Sequence, residues 1–222
     1  MAVRRPARTA APVRTAAPTR AAARNGGPRN GSSGRRAELL QIAAGLFASR
    51  GFTQTTVRDI ADEAGILSGS LYHHFSSKEE MLDEILRDFL GHLLERFTEI
   101  EKEAEDPKDV LDRLVAHSFA TIHQTPEAVA LYQNEADALS GLPGFEYVDQ
   151  MGKKIEKIWL RALTAGQKSG IFRRDVDVNL TYRFIRDTVW CTVRWYRPRG
   201  RFRAEAVAEQ YLRILYGGLV TE

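Results

Sequence analysis

The chain is predicted to be all-α on three observations. Apolar residues recur at steps of three and four, no segment sustains strand alternation, and Gly or Pro interrupts the pattern where helices commonly end. The interruptions fall at Gly51, Gly65, Pro107, Pro126, Gly141-Leu142-Pro143-Gly144, Gly170 and Pro198. At 222 residues, 43% of them hydrophobic, the chain can bury the core of one or two compact modules.

Residues 1–33 consist mainly of Ala, Arg, Pro, Thr, Gly and Asn without hydrophobic periodicity. Such a composition buries too little apolar surface to offset chain entropy, so this stretch is expected to be a disordered basic tail. It can be read as an arm adding non-specific DNA affinity or as an over-long start. From Arg35 the period turns helical, with Leu39, Leu40, Ile42, Ala43, Leu46 and Phe47 on one side and Gly51 as the stop. Further helices are expected at 57–64, 68–75, 77–104, 107–123, 127–139, 145–169, 179–196 and 204–218.

Charge divides the chain unevenly. Residues 1–36 hold nine arginines and no acid, so the net charge of +3 becomes −6 once they are set aside. The basic balance therefore belongs to the amino-terminal end and says little about DNA. Cys191 is the sole cysteine, which excludes a disulfide framework and a cysteine zinc site and suits a reducing cytoplasm. No apolar run approaches the roughly 20 residues of a membrane span. There is no Gly-x-Ser-x-Gly elbow and no P-loop, so an enzyme is not expected, and no catalytic residues are assigned. His73, His74, His92, His117 and His123 lack the paired spacing of a metal site, and no metal or cofactor is expected.

Residues 56–75 carry the signature of two short helices joined by a tight turn. Thr56 can cap the first, with Asp59 in capping-box position, and Gly65 can take the positive φ of the turn. Ala61 is small where the helices cross, and Ser68 is expected to cap the second. Ser68, Gly69 and Ser70 are small at the end that would enter a major groove. Leu71 and Phe75 should point inward while Tyr72 and His73 project outward to phosphates or base edges. Thr55 and Thr56 at the entry, and Lys78 at the start of the next helix, complete the expected DNA contacts.

Ala44-Gly45-Leu46-Phe47, Gly51-Phe52, Thr55-Thr56-Val57, Ile60-Ala61, Ala64-Gly65, Leu71-Tyr72-His73-His74-Phe75 and Ser77-Lys78-Glu79 resemble the signature of the TetR family. The resemblance implies a three-helix helix-turn-helix domain at 34–80 and a ligand-binding and dimerisation bundle at 81–222. It further implies a cytoplasmic homodimer that represses transcription from a palindromic operator in double-stranded DNA.

The bundle offers one conspicuous sequence, Asn179 to Tyr196, which is apolar around most of a helical circumference and so is expected to be buried. Arg186, Trp190 and Arg194 at steps of four would share one wall of it. A buried guanidinium needs an acid, a carbonyl or an anionic ligand, and Asp187, Glu135 and Glu156 are the internal candidates. The alternative is a ligand with a flat apolar body and several negative charges, such as a CoA thioester. Leu131-Tyr132-Gln133-Asn134-Glu135-Ala136 and Tyr182 through Pro198 resemble the branch of the family that represses cholesterol catabolism in mycobacteria and rhodococci. That resemblance implies, as effector, the CoA thioester of a two-ring steroid catabolite, held by Arg186, Trp190 and Arg194 with Tyr132, Gln133 and Trp159 as further pocket residues. The alternatives are a regulator of the same family that responds to a fatty acyl-CoA or another hydrophobic ligand, and, from another class, an enzyme that uses a CoA thioester as substrate. Helices 145–169 and 204–218 are expected to form the dimer contact, using Ile155, Ile158, Trp159, Leu163, Tyr211, Leu212, Leu215 and Tyr216.

Overall fold

A computed structural model describes residues 31–139 and 142–219. Among them the regular structure is helical: α1 Gly31–Arg50, α2 Val57–Glu63, α3 Ser68–Leu71, α4 Lys78–Glu103, α5 Pro107–Gln124, α6 Pro126–Leu139, α7 Glu146–Ser169, α8 Val178–Trp190 and α9 Ala204–Leu219, with a 3₁₀ turn at Cys191–Arg194. Residues 1–30 of the expected tail, and Gly141 of the expected break, lie outside the described residues. Gly31 to Ser33, expected in the tail, form the first turn of α1.

Helix boundaries follow local chemistry. The Thr56 hydroxyl accepts from the Asp59 amide while the Asp59 carboxylate accepts from the Thr56 amide, the capping box expected for α2. Ser77 caps α4 by accepting from the Glu80 amide. Asp106 does the same for α5 through the Lys108 and Asp109 amides, with Pro107 where no amide is needed. Asp177 accepts from the Leu180 amide at the start of α8, and Gly170 ends α7 in the left-handed region at φ 79°.

One end of the molecule packs α1, α2 and α3 around Leu39, Ala43, Phe47, Ile60, Leu71 and Phe75. The long α4 starts in this head, with Met81 and Leu82 fully buried, and runs on into the body, where Phe97 and Ile100 are equally buried. There α7 packs against α4, α5 and α8, and α9 lies along α5. Gly166 allows the tightest approach, because a Cβ there would stand 2.0 Å from the ring of Phe172.

Three expectations change. The second helix of the head is not 68–75 but a single turn, followed by turn geometry through His74. The helix expected over 179–196 stops at Trp190, where the backbone tightens into the 3₁₀ turn. On α7, Ile155, Ile158, Trp159 and Leu163 are buried within the chain, so these four face its own core and are not available to a second copy.

Candidate functional site

The head presents a small, firmly supported surface. Gly65 adopts φ 65° at the turn, where the Ile66 amide donates to the Ala61 carbonyl at 2.9 Å. That reversal aims Ser68 to Leu71 away from α2. Leu71 and Phe75 are buried beneath the segment, while Gly69, Tyr72 and His73 stand exposed and Ser68, Ser70 and His74 are half-buried. The alternation found in the sequence is thus realised, with the Tyr72 ring more than half exposed at 57%. Ser68 does not cap the short helix. Leu67 occupies that position without a side-chain hydrogen bond, and its isobutyl group is 80% exposed. Sequence reasoning missed Leu67, whose apolar type suggested burial.

Two arginines counted with the tail's charge, Arg35 and Arg36, belong to this head. Arg35 donates to the Ala64 carbonyl at 2.9 Å and pairs with Glu38 at 2.7 Å. Arg36 lies 4.0 Å over the Phe75 ring, donates to the His74 carbonyl, and meets Glu84 and Glu80 of α4. It therefore joins α1, the exposed segment and α4 in one network. These carboxylates offset the desolvation that Arg36 suffers, and its pKa rises. Composition alone hid this role.

Other assignments move inward. Thr55 is fully buried and donates to the Gly51 carbonyl at 2.9 Å, so it supports the fold and is not available to DNA. Thr56 remains exposed but spends its hydroxyl on Asp59, 2.6 Å away. Lys78 points back into the head, donating to the carbonyls of Phe52 and Thr55 at 2.9 and 3.0 Å and lying 4.4 Å over the Phe52 ring. Its charge fastens α4 to the chain between α1 and α2. Glu135, a candidate partner for the α8 arginines, instead accepts from the Phe52 amide at 3.2 Å and so links α6 to the head.

The proposed sensing wall is only partly assembled. Trp190 is buried, but Arg186 is exposed and paired with its neighbour Asp187 at 2.7 Å. That contact, partly opposed by desolvation, raises its pKa. Arg194 is exposed on the 3₁₀ turn, where about 120° per residue replaces about 100°, so the i, i+4 alignment with Trp190 is lost. Leu180, Phe184 and Thr188 are exposed as well, so α8 buries one face rather than its whole circumference. Trp159 packs edge-on to Phe97 at 5.7 Å in the core, and Gln133 is exposed. Tyr132 is half-buried 5.8 Å from the Phe89 ring. The structure thus gathers Arg186 and Trp190 on α8 and leaves Trp159 in a packing role.

Comparison with known proteins agrees with this architecture. The family profile described as "Bacterial regulatory proteins, tetR family" matches residues 39–85, and "Tetracyclin repressor-like, C-terminal domain" matches residues 104–219. The chain is 51% identical over 188 residues to the HTH-type transcriptional repressor KstR2 of Mycobacterium tuberculosis H37Rv, covering 85% of this chain and 94% of the relative. It is 51% identical over 192 residues to KstR2 of Rhodococcus jostii RHA1, covering 86% and 94%. The solved structure of the ketosteroid transcriptional regulator KstR2 of M. tuberculosis superposes with a TM-score of 0.83, covering 85% of this chain and 96% of that one. AibR, solved in complex with isovaleryl coenzyme A and operator DNA, shares the fold at 23% identity, with a TM-score of 0.72 and coverage of 83% and 99%.

Proposed function

The chain belongs to the TetR family of bacterial regulatory proteins, and we propose that it is a steroid-responsive repressor whose homodimer releases its operator when a CoA thioester binds at α8. The reading rests above all on the exposed segment from Ser68 to His73, held out from the head by the buried pair Leu71 and Phe75. Two such segments about 34 Å apart would enter successive major grooves on one face of a palindromic operator. Tyr72, His73 and the Gly69 backbone would meet the DNA, flanked by Ser68 and Ser70.

A dimer contact through α8 and α9 replaces the one expected through α7 and α9. Leu180, Phe184 and Ile214 are 50%, 64% and 69% exposed, and the Thr188 and Tyr211 hydroxyls join the two helices at 3.0 Å. A second copy covering these residues would bury apolar surface that water otherwise meets. Arg186 lies on the same helix, so an effector bound there would act directly on the dimer contact.

The effector class is read from chemistry. The Arg186 fork suits phosphate, the Trp190 indole one helical turn on is flat and apolar, and the similar KstR2 of M. tuberculosis is a ketosteroid transcriptional regulator. AibR accommodates a CoA thioester and operator DNA on the same fold. Release needs differential affinity: a thioester preferring the DNA-incompetent state 100-fold supplies roughly 2.7 kcal/mol. The test is a gel-shift titration with the CoA thioester of a two-ring indanedione propanoate. Wild-type complex should dissociate and Trp190→Ala complex should persist; equal persistence of both would end the effector assignment.

A further inference from the structure

A cleft of about 760 Å³ opens where the head meets the body, between α1, α4, α5 and α6. None of the residues assigned to the thioester lines it. Its apolar walls come from Leu40, Ala44, Ile85, Phe89, Leu93 and Ala128, and the volume is typical of a small-molecule site. Its charge is opposite to what a thioester needs. Glu84, Asp88, Glu95, Glu99 and Glu127 line it against a single arginine, Arg96, which is already paired with Glu99 at 2.8 Å. His92 is paired with Asp88, and burial pushes the His117 imidazole below its ordinary pKa, so that ring adds no positive charge at neutral pH. Among the described residues, Glu95 and Glu127 have no ion-pair partner.

We propose that this cleft is a second small-molecule site, for an amphipathic organic cation whose apolar body lies on Leu40, Phe89 and Leu93 and whose charge meets Glu95 and Glu127. A polyanionic thioester would meet the unpaired Glu95 and Glu127 here and no unpaired arginine or lysine among the lining residues. The chain's own arginine-rich residues 1–30 match the charge, but Met1, Val3 and Val13 are their only apolar side chains larger than alanine and proline, too few to cover these walls. Glu84 is also an anchor of Arg36, so the site adjoins the network that supports the exposed segment.

Calorimetric titration of the full chain with tetraphenylphosphonium, and with tetraphenylborate as its anionic twin, separates charge from shape. The phosphonium should bind once per chain and the borate should not bind. The double variant Glu95→Gln, Glu127→Gln should bind the phosphonium at least about tenfold more weakly, or about 1.4 kcal/mol, with an unchanged melting temperature. Equal binding of the two ions, or an unaltered affinity in the double variant, would overturn the site. Tighter phosphonium binding after deletion of residues 1–30 would also overturn it, by making the chain's own amino-terminal segment the occupant.

Discussion

Replacing Lys78 with methionine separates two roles that the same residue could hold at the start of α4. Methionine keeps an apolar stem, but removes the charge that lies 4.4 Å over Phe52 and the two donors to the Phe52 and Thr55 carbonyls at 2.9 and 3.0 Å. Hydrogen bonds from a charged donor contribute about 1.5–3 kcal/mol each, and the site is only partly buried, so the lower end applies. The expected loss is about 2–3 kcal/mol. For a chain of this length that lowers the melting temperature by roughly 5–10 °C. Calorimetry and a salt titration of operator binding, run on the same preparation, give the answer. The structure predicts lower stability with the slope of log K against log salt unchanged, because the ammonium is engaged inside the head. Unaltered stability together with a slope reduced by about two phosphates, one for each protomer of the dimer and roughly 1.8 in all, would refute the internal role and restore the sequence reading.

Tyr72→Ala, at a ring 57% exposed, should weaken operator binding by about tenfold with stability held within ~0.5 kcal/mol; unchanged affinity in an anisotropy titration would misplace the reading surface. Gly166→Ala would put a methyl 2.0 Å from the Phe172 ring and should cost about 1–3 kcal/mol in urea melts. Adding Phe172→Leu should recover part of that loss, and strict additivity of the two changes would contradict the contact. Burial and the nearby Arg96 charge lower the His117 pKa from its ordinary 6.5, so the unfolded chain takes up this proton first as pH falls. His117 therefore favours the fold above about 6.5 and opposes it below. His117→Gln should lose less stability than wild type between pH 7.5 and 5.5 in paired urea melts, and equal losses would remove His117 as a source.

The features legible in the sequence were those set by neighbours along the chain. Thr56 and Asp59 are three residues apart, so their mutual cap needed only local spacing, and the positive φ at Gly65 followed from the turn it closes. Exposure was harder because residue type misleads wherever tertiary packing decides. Thr55 is polar yet fully buried, its hydroxyl donating to the Gly51 carbonyl, whereas Leu67 is apolar yet projects from the head. The apolar stripe of α7 announced burial correctly, but periodicity cannot say whether the covering surface is the same chain or another. Beyond Trp190 the apolar pattern continues without Gly or Pro, so nothing local marked the change to 3₁₀ geometry that separates Arg194 from Arg186. Arg36 was hidden for a different reason: the charge count over residues 1–36 grouped it with the arginines of the tail, while its partners Glu80 and Glu84 lie more than forty residues away.

The account joins an exposed DNA-reading segment to a thioester site on α8, and one measurement tests that union. Operator DNA labelled with a fluorophore is bound to the full-length dimer at fixed salt and titrated with the steroid-derived CoA thioester while anisotropy is followed. The account predicts release for wild type and retention for Arg186→Ala, with the two proteins binding the operator equally before effector is added. Retention by wild type at saturating thioester, or loss of operator affinity in Arg186→Ala before any effector is present, would contradict it.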